Sequence, residues 1–413
     1  MIKTICFDLR CLQMGHESRG IGMHVKNLLE NLPKSNDFHY SIYAFDTSDP
    51  ILTLGIKMQA PYELIQTPAV KKSIDSPQDF LQLAKIIWHR YTPLKPQPPM
   101  LFVQFDFMLG LPKLEQTATI LFAYDLIPLI FKDEYLPSIR TATKQVHGVF
   151  KKTKRAIRSL YYRWRYRIHY KNFYRADLVL SISESTRESL INILGVDPVK
   201  IQTVPLAPSL GHEKARAPKR LSKEATPFIF YIGGTDLRKR IVDLIKAFEV
   251  VKKKGSHLSL VLVGKEFAKV EKIPNDALKN AIMASPFRSG IYTLGYVTDN
   301  EKLWLYSHAT AFVFPTAYEG FGLPVLEAMA SGCPVITYDN SSIQEVAGGA
   351  ALLVGTGDYR ALASAIQSMN DEALRQRLIQ AGKVRAPKYT WENHTKMLLK
   401  AASRLVDSFT NGH

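Results

Sequence analysis

Two glutamates and two cations, all on glycine-bearing turns, are the side chains best spaced to do chemistry. Glu319 and Glu327 bracket the turn in EGFGLPVLE, and Arg238 and Lys239 follow the turn Gly233-Gly234-Thr235-Asp236. In each case an apolar run leads in and helical spacing leads out, so both read as strand, glycine turn, helix. Free N–H groups at such a turn, with the positive end of the helix dipole, form a site for anions. Carboxylates beside that site repel phosphate and are suited instead to accept hydrogen bonds from sugar hydroxyls. Cations at a helix start repel the dipole unless an anion intervenes, so Arg238 and Lys239 argue for a bound diphosphate.

The elements that must hold these groups are legible around them. ATAFVFP (Ala309 to Pro315) reads as a buried strand of a parallel sheet. Pro324 suits the first helical position, Val325, Leu326, Met329 and Ala330 form a buried face, and Gly332 can close the helix in a left-handed cap. Gly320 and Gly322 lack the Cβ atoms that would keep a ligand from the backbone. PFIFYIG is the strand before the second turn, and Ile241, Leu244, Ile245, Phe248 and Val251 give the helix after it a buried side.

The stretch EGFGLPVLEA resembles, nearly word for word, the donor-site motif of glycosyltransferase family 4. These are retaining, group 1 nucleotide-sugar transferases, and the general likeness is to mannosyltransferases. The resemblance implies an α/β GT-B fold, two Rossmann-like domains facing a central cleft. It implies that Glu319 contacts the transferred sugar and Glu327 the nucleotide ribose, with the backbone at Phe321, Gly322 and Leu323 meeting sugar and diphosphate. The family's diphosphate lysine falls at Lys239. Some members carry an arginine where this chain has Gly234, and Arg238 would take over that work. The nucleotide base would be cradled near Gly295–Val297, hence by Tyr296 and Val297.

In the amino-terminal half, Ile2 to Phe7 reads as a strand, and RGIG (Arg19 to Gly22) opens an amphipathic helix through Leu32. The family places a glycine-rich loop here. Gly20 and Gly22 are thus expected on the donor side, and Asp8, Arg10, Arg19 and Tyr124 on the acceptor side. Tyr124-Asp125 stands where the family usually has His-Asp. Tyrosine titrates far too high to be a ready base near neutral pH, so transfer should not depend on a histidine there. Asp125 either caps the following segment or, if the reaction inverts, is the candidate base. Leu206-Ala207 replaces the family's usual Asn-Gly pair.

The chemistry that follows is metal-independent hexosyl transfer. Preorganised cations and helix N-termini would stabilise the departing diphosphate. No Asp-x-Asp triplet is present to hold a divalent ion. No resident cofactor is expected, the donor being a GDP- or UDP-linked sugar. Retention by same-face attack would leave Glu319 to hold the sugar and stabilise the positive ring. Rival readings are a sugar phosphorylase or nucleotide-sugar epimerase on the same fold, and a non-catalytic subunit that binds a glycan or a membrane.

Length and composition bound the rest. The 413 residues, 46% hydrophobic, suffice for two cores. Domains are expected at 1–210 and 227–390, joined by a polar linker at 211–226, with a final helix at 391–413 crossing back to the first. Ala361 to Gln380 reads as one amphipathic helix. A net charge of +17 favours phosphorylated ligands, a polyanion or an anionic membrane. Much of it lies in one helix, where Lys151 to Arg175 holds ten Lys/Arg and no acid. Ile157, Leu160, Tyr161, Trp164 and Ile168 fall on one side of that helix, which suits an anionic bilayer surface or packing against the domain. No nucleic-acid motif accompanies the charge, so nucleic acid is not expected. Three scattered cysteines indicate neither disulfides nor zinc and fit a reducing cytoplasm. The first residues do not read as a signal peptide, and no run approaches the ~20 apolar residues of a spanning helix. A lipid-linked or surface polysaccharide acceptor, met at the inner face of the cell membrane, is the expectation.

Overall fold

The structure, a computed structural model, describes residues 2–16, 20–67, 101–109, 116–143, 149–209 and 214–411. It divides into two compact units, Met1–Leu206 with Trp391–His413, and Ala207–Thr390. Each is a parallel sheet flanked by helices.

The first unit runs β1 (Lys3–Asp8), α1 (Gly20–Glu30), β2 (Phe38–Phe45), β3 (Tyr62–Thr67), β4 (Leu101–Gln104), β5 (Ala118–Ala123), α2 (Val149–His169), β6 (Leu178–Ser181), α3 (Glu184–Ser189) and β7 (Ile201–Thr203). Its strands lie in the order β3-β2-β1-β4-β5-β6-β7, all pairs parallel. Strands buried on both faces must be apolar throughout, which is why LFVQ and ATILFA read as continuous runs. The order reverses between β1 and β4, and open α/β sheets bind ligands outside the carboxyl ends of strands at such a point.

The second unit runs β8 (Phe228–Ile232), α4 (Ile241–Lys253), β9 (Ser259–Val263), β10 (Ile291–Gly295), α5 (Asp299–His308), β11 (Ala311–Phe314), α6 (Leu323–Ala330), β12 (Val335–Tyr338), α7 (Ser341–Ala347), β13 (Leu352–Val354), α8 (Tyr359–Ser368) and α9 (Glu372–Arg385). Its strand order is β10-β9-β8-β11-β12-β13, which reverses between β8 and β11. A final helix, α10 (Trp391–Asn411), packs on α1 and β5. Over its described part the segment expected as a linker is fastened to the second unit. There the Arg216 amide donates to Asn300 O at 3.1 Å and Arg220 Nη1 to Leu294 O at 3.3 Å.

Several local expectations need correction. The helix expected over Ala361–Gln380 is two, because Asp371 accepts from the amides of Ala373 and Leu374 and starts α9 afresh. Ala330 is exposed, and Glu327 and Ala328 take its place on the buried side of α6. Thr298 caps α5, in a capping box with Glu301. The buried face of α4 and the left-handed Gly332 (φ 73°) are as expected.

Helix α2 does not lay its aliphatic stripe on the domain. It packs through Ser159, Tyr166 and the following Tyr170, with Phe107 stacked on Tyr170 and tilted against Tyr166. Ile157, Leu160 and Trp164 are instead 56%, 53% and 45% exposed. Among the described residues no helix is long and apolar enough to cross a membrane.

Candidate donor site

The site residues of the second unit gather where its sheet reverses. Strand β8 ends in Gly233 (φ 154°), and a Cβ there would stand 2.5 Å from Tyr231 Oη. A Cβ on Gly264, after β9, would overlap the Gly233 carbonyl. The two strand ends are therefore in backbone contact, which only glycine permits. From Gly233 the chain turns through Thr235, whose amide donates to Glu266 Oε2 at 2.8 Å, into a short 3-10 turn, Leu237–Lys239. That turn delivers Arg238 and Lys239 to the carboxyl end of β11.

Glu319 meets them there. Its Oε1 accepts from Lys239 Nζ at 2.6 Å, from Arg238 Nη1 at 2.8 Å and from Thr316 Oγ1 at 2.7 Å. Arg238 Nη1 also donates to Tyr318 O at 2.8 Å, and Lys239 lies 4.7 Å above the Phe314 ring. All three recorded donors converge on one carboxylate oxygen, which leaves Oε2 for a further partner. Ser341 Oγ accepts from the Glu319 amide, and Ser342 Oγ donates to the carbonyls of Glu319 and Phe321, so the turn is clamped from the start of α7.

The charge balance differs from the sequence reading in one respect. The anion that offsets the two cations is part of the protein. Burial would raise the Glu319 carboxyl, but Lys239 and Arg238 hold it below the usual carboxylate range. Burial lowers the Lys239 ammonium, with Glu319 opposing and Arg238 adding to the effect. Lys239, Arg238 and Glu319 thus form a mixed-charge cluster, with Asp236 and Glu266 close by, in a poorly solvated place where electrostatic interactions are strong.

Glu327 lies inside α6 with both oxygens engaged. Oε1 accepts from Lys302 Nζ at 3.0 Å and Oε2 from Tyr306 Oη at 3.2 Å. Burial pushes its carboxyl up, and Lys302 and Tyr306 oppose that. A solvated glutamate is thereby excluded at this position, and Glu319 is likewise only 13% exposed. Gly322 caps α6 in the left-handed region (φ 104°), Leu323 and Pro324 begin it, and Gly320 and Phe321 are buried in the turn before it. Tyr296 is 65% exposed just past β10, with Lys265 Nζ 5.8 Å from its ring. Val297 is half-buried beside it, and Gly234 sits in the turn 3.3 Å, by its would-be Cβ, from Asp236 Oδ2.

In the first unit, Asp8 ends β1 and holds Arg10 bidentately, with Nε at 2.8 Å and Nη2 at 2.6 Å. Asp106, just past β4, faces His16 at 3.6 Å. Gly20 and Gly22 lie in the first turn of α1, with Gly22 buried, rather than in an open loop. Arg19 lies outside the described residues. Asp125 Oδ1 accepts from the Ile127 amide at 2.9 Å, although the N-cap of the short helix Ile127–Ile130 is Leu126, without a side-chain cap. Tyr124 Oη is 2.6 Å from His24 Nδ1, and His24 Nε2 is 2.8 Å from His394 Nε2.

Sequence reasoning missed Lys302, His24 and His394. A lysine on the face of α5 that also carries buried Leu305 and Tyr306 was the available sign for the first. The histidines gave none, being 370 positions apart. They have a measurable consequence. Burial lowers both, His394 to about 4 from an ordinary 6.5. The unfolded chain therefore takes up protons at a higher pH than the fold does. This contribution is fully present above pH 6.5 and is lost as pH falls towards 4. The His394 share is on the order of 3 kcal/mol. Melting temperature should fall across that window, and His394→Gln should flatten the slope. A wild-type profile level from pH 7 to 4.5 would contradict it.

Residues 213–385 match the family model described as "Glycosyl transferases group 1". The chain is 31% identical to the O-antigen chain mannosyltransferase B of Escherichia coli, over 55% of this chain and 60% of that protein. The next relatives are spanned over about a third of their length, 34% and 33%. Among solved structures, sucrose-phosphate synthase from Thermosynechococcus elongatus aligns over 98% of this chain and all of its own, with a TM-score of 0.66 and 20% identity. Anabaena HepE, solved in complex with UDP and glucose, aligns over 97% of this chain and 100% of its own, at 0.65 and 14%. The fold is GT-B, two parallel-sheet α/β domains.

Proposed function

We propose that this protein is a retaining glycosyltransferase. It moves a hexose, with mannose favoured, from a nucleotide sugar to a glycan or lipid-linked acceptor in surface polysaccharide biosynthesis. The observation that carries the reading is the convergence of Lys239, Arg238 and Thr316 on one oxygen of Glu319 at the sheet's reversal point. A diphosphate laid against the two cations puts its sugar beside the carboxylate. As the bond from the anomeric carbon to phosphate breaks, the leaving oxygen gains negative charge, which Lys239 and Arg238 stabilise. The ring gains positive charge, which Glu319 stabilises. The acceptor hydroxyl forms its new bond on the same face, and its proton passes to the departing phosphate. Among the described residues no group of three or more His, Cys, Asp or Glu side chains is placed to hold a metal ion, and this scheme needs only side-chain cations and amides.

Mannose is favoured because the relative at 31% identity is named a mannosyltransferase of the O-antigen chain. The base, GDP or UDP, follows from thermal shift against both donor classes, since a bound ligand raises the melting temperature by mass action. Product anomeric configuration, read by NMR, tests the stereochemistry. Inversion would remove same-face attack and return Asp125 as the base to examine.

The enzyme works in this reading at an anionic membrane, on its cytoplasmic face. Support comes from α2, where Ile157, Leu160 and Trp164 are exposed among the exposed cations Lys154, Arg155, Arg158, Arg163 and Arg167. Leu160→Glu with Trp164→Glu should cut co-sedimentation with phosphatidylglycerol vesicles by about tenfold or more. The wild type should ignore phosphatidylcholine vesicles. Equal binding by variant and wild type would refute the membrane role.

A further inference from the structure

We propose that Asn340 and Ser341 are positioning residues for the transfer, holding the Glu319 carboxylate in register with its two cations from behind the turn. This rests on the transferase reading above and adds to it the residues that fix its central group. Asn340 lies just past β12, and Ser341 begins α7. Neither does what its place in the chain calls for. Asparagine is a favoured N-cap, yet the Asn340 side chain makes no capping hydrogen bond to α7. Ser341 has a φ of 43°, in the left-handed region that glycine enters freely and other residues enter at a cost.

Both side chains reach across instead to the segment from Thr316 to Glu319, 24 and 22 positions earlier. Asn340 Nδ2 donates to the Thr316 carbonyl and to Thr356 Oγ1, each at 2.8 Å. A carbonyl can only accept, so the amide is oriented with Nδ2 towards Thr316 and Oδ1 towards Ser341. Ser341 Oγ gives its one proton to that Oδ1 at 3.0 Å. Its lone pair is left to accept from the Glu319 amide at 3.0 Å. One side-chain amide thus secures the turn at both ends.

The two ends act on the same carboxylate. Through Ser341 the Glu319 backbone is fixed, and through the Thr316 carbonyl so is the residue whose hydroxyl donates to Glu319 Oε1 at 2.7 Å. Thr316 is itself fully buried. With Oε1 committed to Thr316, Lys239 and Arg238, the carboxylate presents Oε2 in one direction only. An unfavourable backbone conformation persists only where its surroundings over-determine it. Here the contacts that over-determine Ser341 all lead to Glu319. Glycine at 341 would relieve the backbone, but it would remove the hydroxyl that joins Asn340 to the Glu319 amide. Helix initiation alone does not call for this arrangement, since the side chain at the N-cap is turned away from the helix.

The test is a double-mutant cycle in kcat. Asn340→Ala and Ser341→Gly are each made alone and together with Glu319→Gln. The donor is GDP-mannose or UDP-glucose, whichever the wild type turns over, and the acceptor is octyl α-mannoside. Each single substitution should lower kcat by about tenfold, with KM for the donor within about twofold of wild type. Ser341→Gly should do so without loss of melting temperature, because relief of the backbone offsets the lost hydroxyl, so a failure to fold is not the cause. With Glu319→Gln already present, either substitution should lower kcat by less than about twofold, since the charge it positions has gone. A purely structural role would lower kcat by the same factor in both backgrounds, and that result would overturn the proposal. So would a kcat equal to wild type in both single variants. No transfer by the wild type from either donor would instead overturn the transferase reading itself.

Discussion

Glu319→Gln is expected to lower kcat for sugar transfer by about two to three orders of magnitude, with KM for the donor unchanged or reduced. Glutamine keeps an oxygen that can accept from Lys239, Arg238 and Thr316, so the geometry survives. Its charge does not. The positive ring of the transition state loses its stabiliser, whereas the diphosphate meets two cations no longer offset. Ground-state binding therefore holds while the transition state suffers, and the effect appears in kcat. The buried cations also lose their counter-charge, and the fold should lose up to about 3–5 kcal/mol as a result. Steady-state kinetics and chemical denaturation measure the two separately. A kcat within about threefold of wild type, from a protein of undiminished stability, would mean that Glu319 neither balances the cations nor serves the reaction.

Lys302→Met is the second large effect. Glu327 is 6% exposed in its side chain, and Lys302 Nζ at 3.0 Å is its only charged donor among the described residues. Removing the cation strands a carboxylate with Tyr306 alone, at a cost of about 3–5 kcal/mol at neutral pH. The pH dependence carries the diagnosis. Without Lys302, burial raises the folded-state pKa of Glu327 further above that of the unfolded chain. A raised carboxyl destabilises increasingly as pH climbs above the unfolded value, so the defect should be small near pH 4.5 and full at pH 7. Adding Glu327→Gln should recover most of the loss, because no charge is then left unpaired. A defect independent of pH, or one that the second substitution deepens, would contradict the pairing.

The parallel strands were readable because burial on both faces leaves an uninterrupted apolar run, as in SLVLV and FIFYI. The helix α4 was readable because its apolar spacing matches a helix with one buried side. What escaped was set by contacts distant in the chain or by local competition. The break at Asp371 hides inside a pattern whose period continues on either side of it. Helix α2 was ambiguous because periodicity shows which residues share a face and not whether a partner covers it. The turn bearing Glu319 was plain as a motif. That its carboxylate would gather Arg238 and Lys239 from about 80 residues away was not, and the cations were read as awaiting a ligand's charge only. His24 and His394 needed the last helix to return to the first unit before they had any meaning.

The most direct measurement is a crystal structure determined with the intact nucleotide-sugar donor. The account predicts the diphosphate within hydrogen-bonding distance of Arg238 and Lys239, a sugar hydroxyl on Glu319 Oε2, and the base against Tyr296. A nucleotide bound elsewhere, with the Lys239–Glu319 pair untouched by any ligand atom, would contradict it.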